Sequence, residues 1–99
     1  MPYIPEDRRE QYDLGIELLA TSLLKTREEH GDGVLAGELN YTIFRLAKIL
    51  CHDKTGAPIG YAGIATVLSA MNEAQHEIRR RVLASYEDVK IKTNNDVSI

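Results

Sequence analysis

An all-α fold of three helices, with a long third helix and a short irregular tail, is predicted by three features of the sequence. Apolar residues recur at three- to four-residue spacing in three separate stretches. Runs bearing glycine or proline divide those stretches. No proline falls between residues 61 and 87. Ninety-nine residues accommodate a single domain.

The first helix is expected over about residues 6–29. Pro5 suits a helix start, and Glu6 and Asp7 favour the positive end of the helix dipole. Tyr12, Ile16, Leu19 and Leu23 then form one apolar stripe, while Leu14 and Leu18 lie on nearly the opposite side. A helix apolar on two sides has two neighbours to touch. His30, Gly31, Asp32 and Gly33 are read as its end.

The second helix is expected over 37–54, opening at Gly37 and Glu38. Leu39, Ile43, Leu46 and Leu50 make its core line, widened by Phe44, Ala47 and Cys51. A loop with Gly56, Pro58 and Gly60 follows. The third helix is expected over 61–87, with Ile64, Val67, Leu68, Met71, Ile78 and Val82 on one face and Tyr86 continuing it. It would be roughly 40 Å long, against about 30 Å for a compact domain of this size. Ala62, Gly63, Ala65, Ala70 and Ala74 surround its first half, and small side chains let other helices approach closely. Such a helix is expected to build a homo-oligomer. Residues 89–99 are read as the tail: Val89 to Lys92 alternate like a short strand, and Asn94, Asn95 and Asp96 suggest a turn. That tail either stays flexible or docks on Tyr3 and Ile4 or on a neighbouring subunit.

Composition excludes several functions. A net charge of −3 argues against non-specific nucleic-acid binding, which needs a clustered positive excess. No run approaches the roughly 18 apolar residues of a membrane span. The segment from Met1 to Asp7 lacks the basic start and apolar stretch of a secretory signal, so a cytoplasmic setting is expected. Cys51 is the only cysteine, and its neighbour His52 projects about 100° away on a helix, so no thiol–imidazole pair or structural zinc is expected. Glu73 and His76 have the spacing of a di-iron ligand pair. That chemistry needs a second such pair and further carboxylates, which only a metal-binding dimer could assemble. No phosphate-loop signature or nucleophile elbow is present. The expectation is a non-enzyme without cofactor.

The candidate binding residues are Asn40, Tyr41, Arg80, Arg81, Tyr86, Glu87 and Asp88. Asn40 and Tyr41 stand near the expected start of the second helix, where free N–H groups can hold an anion; capping and packing is the plainer explanation. Arg79, Arg80 and Arg81 are the only basic run, fanned over about 200° of helix. Arg81 has Glu77 one turn away. Glu87 and Asp88 fall at the expected C-terminal end, where the dipole disfavours carboxylates. They are therefore expected to answer arginines within the chain or from another chain, with Arg80, Glu87 and Asp88 in a network between subunits.

Several of these residues form a pattern: Met1-Pro2-Tyr3-Ile4-Pro5, Gly37-Glu38-Leu39-Asn40-Tyr41, Tyr61 with Ile64, Glu77 before Arg80-Arg81-Val82, Tyr86-Glu87-Asp88 with Lys90, and Asn95-Asp96-Val97. Over almost its whole length the chain resembles a family of short uncharacterised proteins of bacteria and their phages that share these motifs. It departs from the family pattern at Gly60 (serine), Ala65 (asparagine), Arg79 (tyrosine), Ser85 (proline) and Asn95 (glycine). The resemblance implies a helical intracellular protein, phage-linked, and brings no established activity. The expected function is thus a helical homo-oligomeric binding protein acting on an unknown host protein. The alternatives are a sponge for an anionic small molecule, a nucleotide signal in anti-phage defence, and the metal-binding dimer.

Overall fold

The computed structural model describes residues 2–98 and is all-α. Helix α1 spans Glu6–His30. Pro5 precedes it in an extended conformation, and its carbonyl accepts from the Arg8 amide at 3.0 Å. Acids occupy the first turn, and Arg27 and His30 the last, each matched to the local dipole.

A single residue reverses the chain. Gly31 has φ 84° and ψ 179°, a combination open essentially to glycine alone, and its amide caps Arg27 at 2.9 Å. Helix α2 therefore starts at Asp32 and ends at Leu50, rather than running 37–54. Asp32 belongs to its first turn and receives Arg27 Nε at 3.2 Å. Gly33 and Gly37, read from sequence as part of a break and a start, lie inside the helix. Each costs about 1 kcal/mol there against alanine, and the rest of the helix absorbs it.

The α2 helix stops early because Asp53 organises the following corner. Its carboxylate accepts from the Thr55 amide at 2.8 Å, the Thr55 hydroxyl at 2.6 Å and the Ala57 amide at 3.2 Å. These bonds, the Thr55 hydroxyl foremost, hold the Asp53 carboxyl below its ordinary range. Gly56 supplies the positive φ the turn needs, and the Ile59 amide returns to the Cys51 carbonyl at 2.9 Å. Ile59 then covers Gly63, where a methyl group would stand 2.5 Å from Ile59 Cδ1.

The third helix is one rod in three segments: α3 at Tyr61–Ile78, a π-helical turn at Arg79–Leu83, and α4 at Ala84–Asn94. It extends well past residue 87, so the segment from Val89 to Lys92 is helical, not a strand or tail. Asn95, with φ 66°, turns the chain out, leaving 95–98 irregular. The rod is roughly 50 Å long, and the molecule measures 57 × 34 × 29 Å.

The three helices do not enclose a core. Packing concentrates at the α1–α2 turn, where Leu23, Thr26 and Leu35 are half-buried, and at the α2–α3 corner, where Ile59, Gly63 and Ile64 are. Thr26 also donates to Glu38 at 2.6 Å across that turn. Among the described residues α1 makes no close approach to α3, and none is fully buried. The radius of gyration is 17.5 Å, against about 13 Å for a compact domain of this length.

Candidate functional site

Two features stand out on this frame: a polar junction midway along the rod, and an apolar groove beside it.

The junction forms where the N-terminal segment reaches the rod. The Tyr3 hydroxyl donates to Glu77 Oε1 at 2.9 Å and accepts from Arg81 Nη1 at 2.7 Å. The Arg81 guanidinium also lies 5.6 Å from the centre of the Tyr3 ring, a cation–π contact. Arg80 donates from Nε to the same Glu77 oxygen at 3.0 Å, and again from Nη2. The Arg80 hydrogen bond, followed by that of Tyr3, holds the Glu77 carboxyl below its ordinary range, and Glu77 in turn raises Arg80. A carboxylate held ionised by a phenol and a guanidinium is a poor proton acceptor. The arrangement suits clasping and anion recognition better than acid–base work.

Sequence reasoning placed Arg80 and Arg81 together but missed Tyr3, which joins Arg81 to Glu77. It paired Glu77 with Arg81, whereas Arg80, three residues on, holds it. Tyr3 was visible as part of a shared N-terminal motif and as one place for the tail to dock. It docks on Glu77 and Arg81 rather than on the tail.

The other candidates are dispersed. Asn40 and Tyr41 lie inside α2, nine residues or so past its start, so their amides are not the free donors of a helix opening. The Tyr41 hydroxyl accepts from Arg45 at 3.4 Å. Tyr86 carries Lys90 Nζ 5.6 Å from its ring centre. Glu87 and Asp88 are exposed within α4, well before its end at Asn94, so the dipole penalty expected of them does not arise. Regular helical spacing would set Glu87 on one stripe with Arg80, two turns on, but the π turn adds about one residue of rotation between them and removes them from it. His52 Nδ1 donates to the Lys48 carbonyl at 2.6 Å, beside a half-buried Cys51. Among the described residues no three His, Cys, Asp or Glu side chains gather in a metal-holding group.

The groove, of about 970 Å³, runs between α2 and the rod. Its walls are the two core lines read from the sequence: Ile43, Leu46 and Leu50 on one side, Met71 and Ile78 on the other. One member differs. A regular helix would bring Val82 below Ile78, but the π turn brings Leu83 there, leaving Val82 64% exposed and Leu83 42%. Arg79 stands on the rim at the same end. The walls face one another without a roof, for Leu46 and Ile78 remain 59% and 62% exposed.

The family model described as a domain of unknown function, DUF6899, matches residues 1–97. The chain belongs to the DUF6899 family. The matched span takes in the residues of both the Tyr3 junction and the groove. Comparisons with curated proteins and with solved structures found no match. No helix among the described residues is long and apolar enough to cross a membrane.

Proposed function

We propose that this DUF6899 protein is a non-enzymatic, helical homo-oligomer of the cytoplasm whose assembled surface binds another protein. One observation carries the reading. A compact monomer of 11.1 kDa exposes about 5,700 Å², and this chain exposes 8758 Å². The excess, about 3,100 Å² per chain, exceeds the roughly 800 Å² per partner of a standard interface and falls in the range of obligate assemblies. It is also apolar in the wrong places for a free monomer: Leu14, Ile16, Leu18, Leu46, Leu68 and Ile78 are each about 60% exposed or more. The small residues Ala65, Ser69 and Ala70 line a shallow hollow on the rod, with Ser69 and Ala70 exposed, offering a further line of close helix approach.

The resemblance to bacterial and phage proteins supports a role as a phage or prophage accessory factor acting on a host protein. Size-exclusion chromatography with light scattering tests the assembly, with a mass of at least two chains at micromolar concentration expected. A monomer of 11.1 kDa there overturns the reading. Capture from host lysate by the tagged chain, compared with a groove variant, tests the binding role.

A second reading has its own support. Three consecutive arginines occupy a π-helical turn, a conformation frequent at functional sites. Arg80 remains 68% exposed despite its bond to Glu77. A nucleotide-like anion could be forked by such guanidinium groups. Calorimetry with cyclic nucleotides tests it, and silence across the set removes it.

A further inference from the structure

We infer that two copies of this chain exchange their first helices: the N-terminal half of α1 from each lies in the α2–rod groove of the other. This rests on the assembly reading above and specifies its contact.

The groove has two apolar walls and lacks a third, and a third helix would complete the bundle that the core lines describe. The chain's own α1 cannot be that wall as placed. Gly31 sends it back along the side of α2 bearing Leu35 and Thr42, and it makes no close approach to α3. Its C-terminal half is occupied there through Leu23 and Thr26, but its N-terminal half is apolar on two sides and uncovered. Tyr12, Leu14, Ile16, Leu18 and Leu19 are all 45–69% exposed. One molecule thus carries an open groove and a bare helix, which the Gly31 turn at one end and the Tyr3 junction at the other hold apart. Two molecules related by a two-fold axis satisfy both at once.

Area and charge both favour a second copy as the occupant. The surplus of about 3,100 Å² per chain far exceeds what covering one wall of one groove would use. A reciprocal exchange buries two grooves and two helices together. Residues 6–19 carry five carboxylates, Glu6, Asp7, Glu10, Asp13 and Glu17, against two arginines, Arg8 and Arg9. Arg79 stands on the groove rim, within the basic run of the π turn. An acidic apolar helix and an apolar groove with a basic end are complementary.

Complementation between two variants tests the exchange. The pair Ile16→Asp/Leu18→Asp spoils both sides of the exchanged helix and leaves the groove intact; Leu46→Asp/Met71→Asp spoils the groove and leaves the helix intact. Each alone should be monomeric by native mass spectrometry. Mixed, they should form a one-to-one heterodimer, because one intact helix meets one intact groove. No heterodimer from two variants that retain helical circular dichroism overturns the exchange. Should either variant fail to fold, isotope-filtered NMR on mixed labelled and unlabelled wild-type chains decides. Contacts between chains from Ile16 or Leu18 methyls to Met71 or Ile78 are expected, and their absence in a dimer overturns it. A wild-type chain that stays monomeric would instead refute the assembly reading itself, so the two failures are distinct.

Discussion

Truncating a groove residue should weaken assembly by an amount that can be worked out from its exposure. Leu46 is 59% exposed in the single chain. Full burial of a leucine side chain contributes about 1.5–3 kcal/mol, so roughly 0.9–1.8 kcal/mol remains to be gained when the groove is covered. A two-fold dimer holds two copies of the residue, so Leu46→Ala should cost about 2–3.5 kcal/mol per dimer. At 1.4 kcal/mol per tenfold, Kd rises roughly 30- to 300-fold. Ile78, 62% exposed on the opposite wall, should behave alike. Phe44 is the control: it is also 62% exposed, but it lies off the groove, with Lys48 Nζ 5.9 Å from its ring centre. Sedimentation velocity over a dilution series measures all three. If Leu46→Ala and Ile78→Ala shift Kd no more than Phe44→Ala does, the groove is not where the chains meet.

Four further outcomes follow from local structure. Gly31→Ala forces an alanine into a backbone region reserved for glycine and should destabilise the fold by about 1–3 kcal/mol. Gly33→Ala, in helical backbone with open space around it, should stabilise by about 0.4–1 kcal/mol; urea melts of the pair measure both. Tyr3→Phe keeps the ring under Arg81 but removes the hydroxyl that joins Glu77 to Arg81. Faster amide exchange across residues 77–83 is expected, and unchanged exchange would show that Tyr3 merely rests there. The Glu77 carboxyl titrates below its ordinary value of 4.5 when folded, so its contribution is whole above that value and fades as the pH falls through the folded one. Wild type should therefore exceed Glu77→Gln in stability at neutral pH, with the gap closing in acid.

The fold class was legible because it depends on local pattern. The stripes Ile43–Leu46–Leu50 and Ile64–Met71–Ile78 lie where their spacing places them, and the breaks at Gly31 and at Gly56 to Gly60 are real. Boundaries failed where one side chain or one backbone angle decided them. Gly31 alone makes the α1–α2 turn, so Gly33 and Gly37 needed no loop of their own. Asp53 ends α2 with bonds to Thr55 and Ala57, a capture that apolar spacing does not register. The helical end of the chain was misread because Val89 and Ile91 alternate, although Lys90 and Lys92 suit a helix C-terminus equally well.

The candidate site was less legible, and for a reason that bears on assembly. Arg80 and Arg81 sit in a π turn, where a reader counting 3.6 residues per turn places every later side chain one position out. Val82 takes the place of Leu83 in that count, and Glu87 falls falsely beneath Arg80. Tyr3 lies 74 residues from its partner Glu77, a separation no local rule spans. A π turn stretches backbone hydrogen bonds and persists only where the context rewards the rotation. Here the rotation sends Leu83 into the groove beneath Ile78, where Arg79 already stands on the rim, while Arg81 meets Tyr3. Within one chain little is gained, because Leu83 stays 42% exposed and the groove stays open. The shift becomes favourable once something covers that end of the groove, because a covered leucine contributes and a covered arginine needs an acid to meet it. The acidic first turns of α1 carry such partners, and in the proposed exchange the second copy's α1 brings them to that end of the groove.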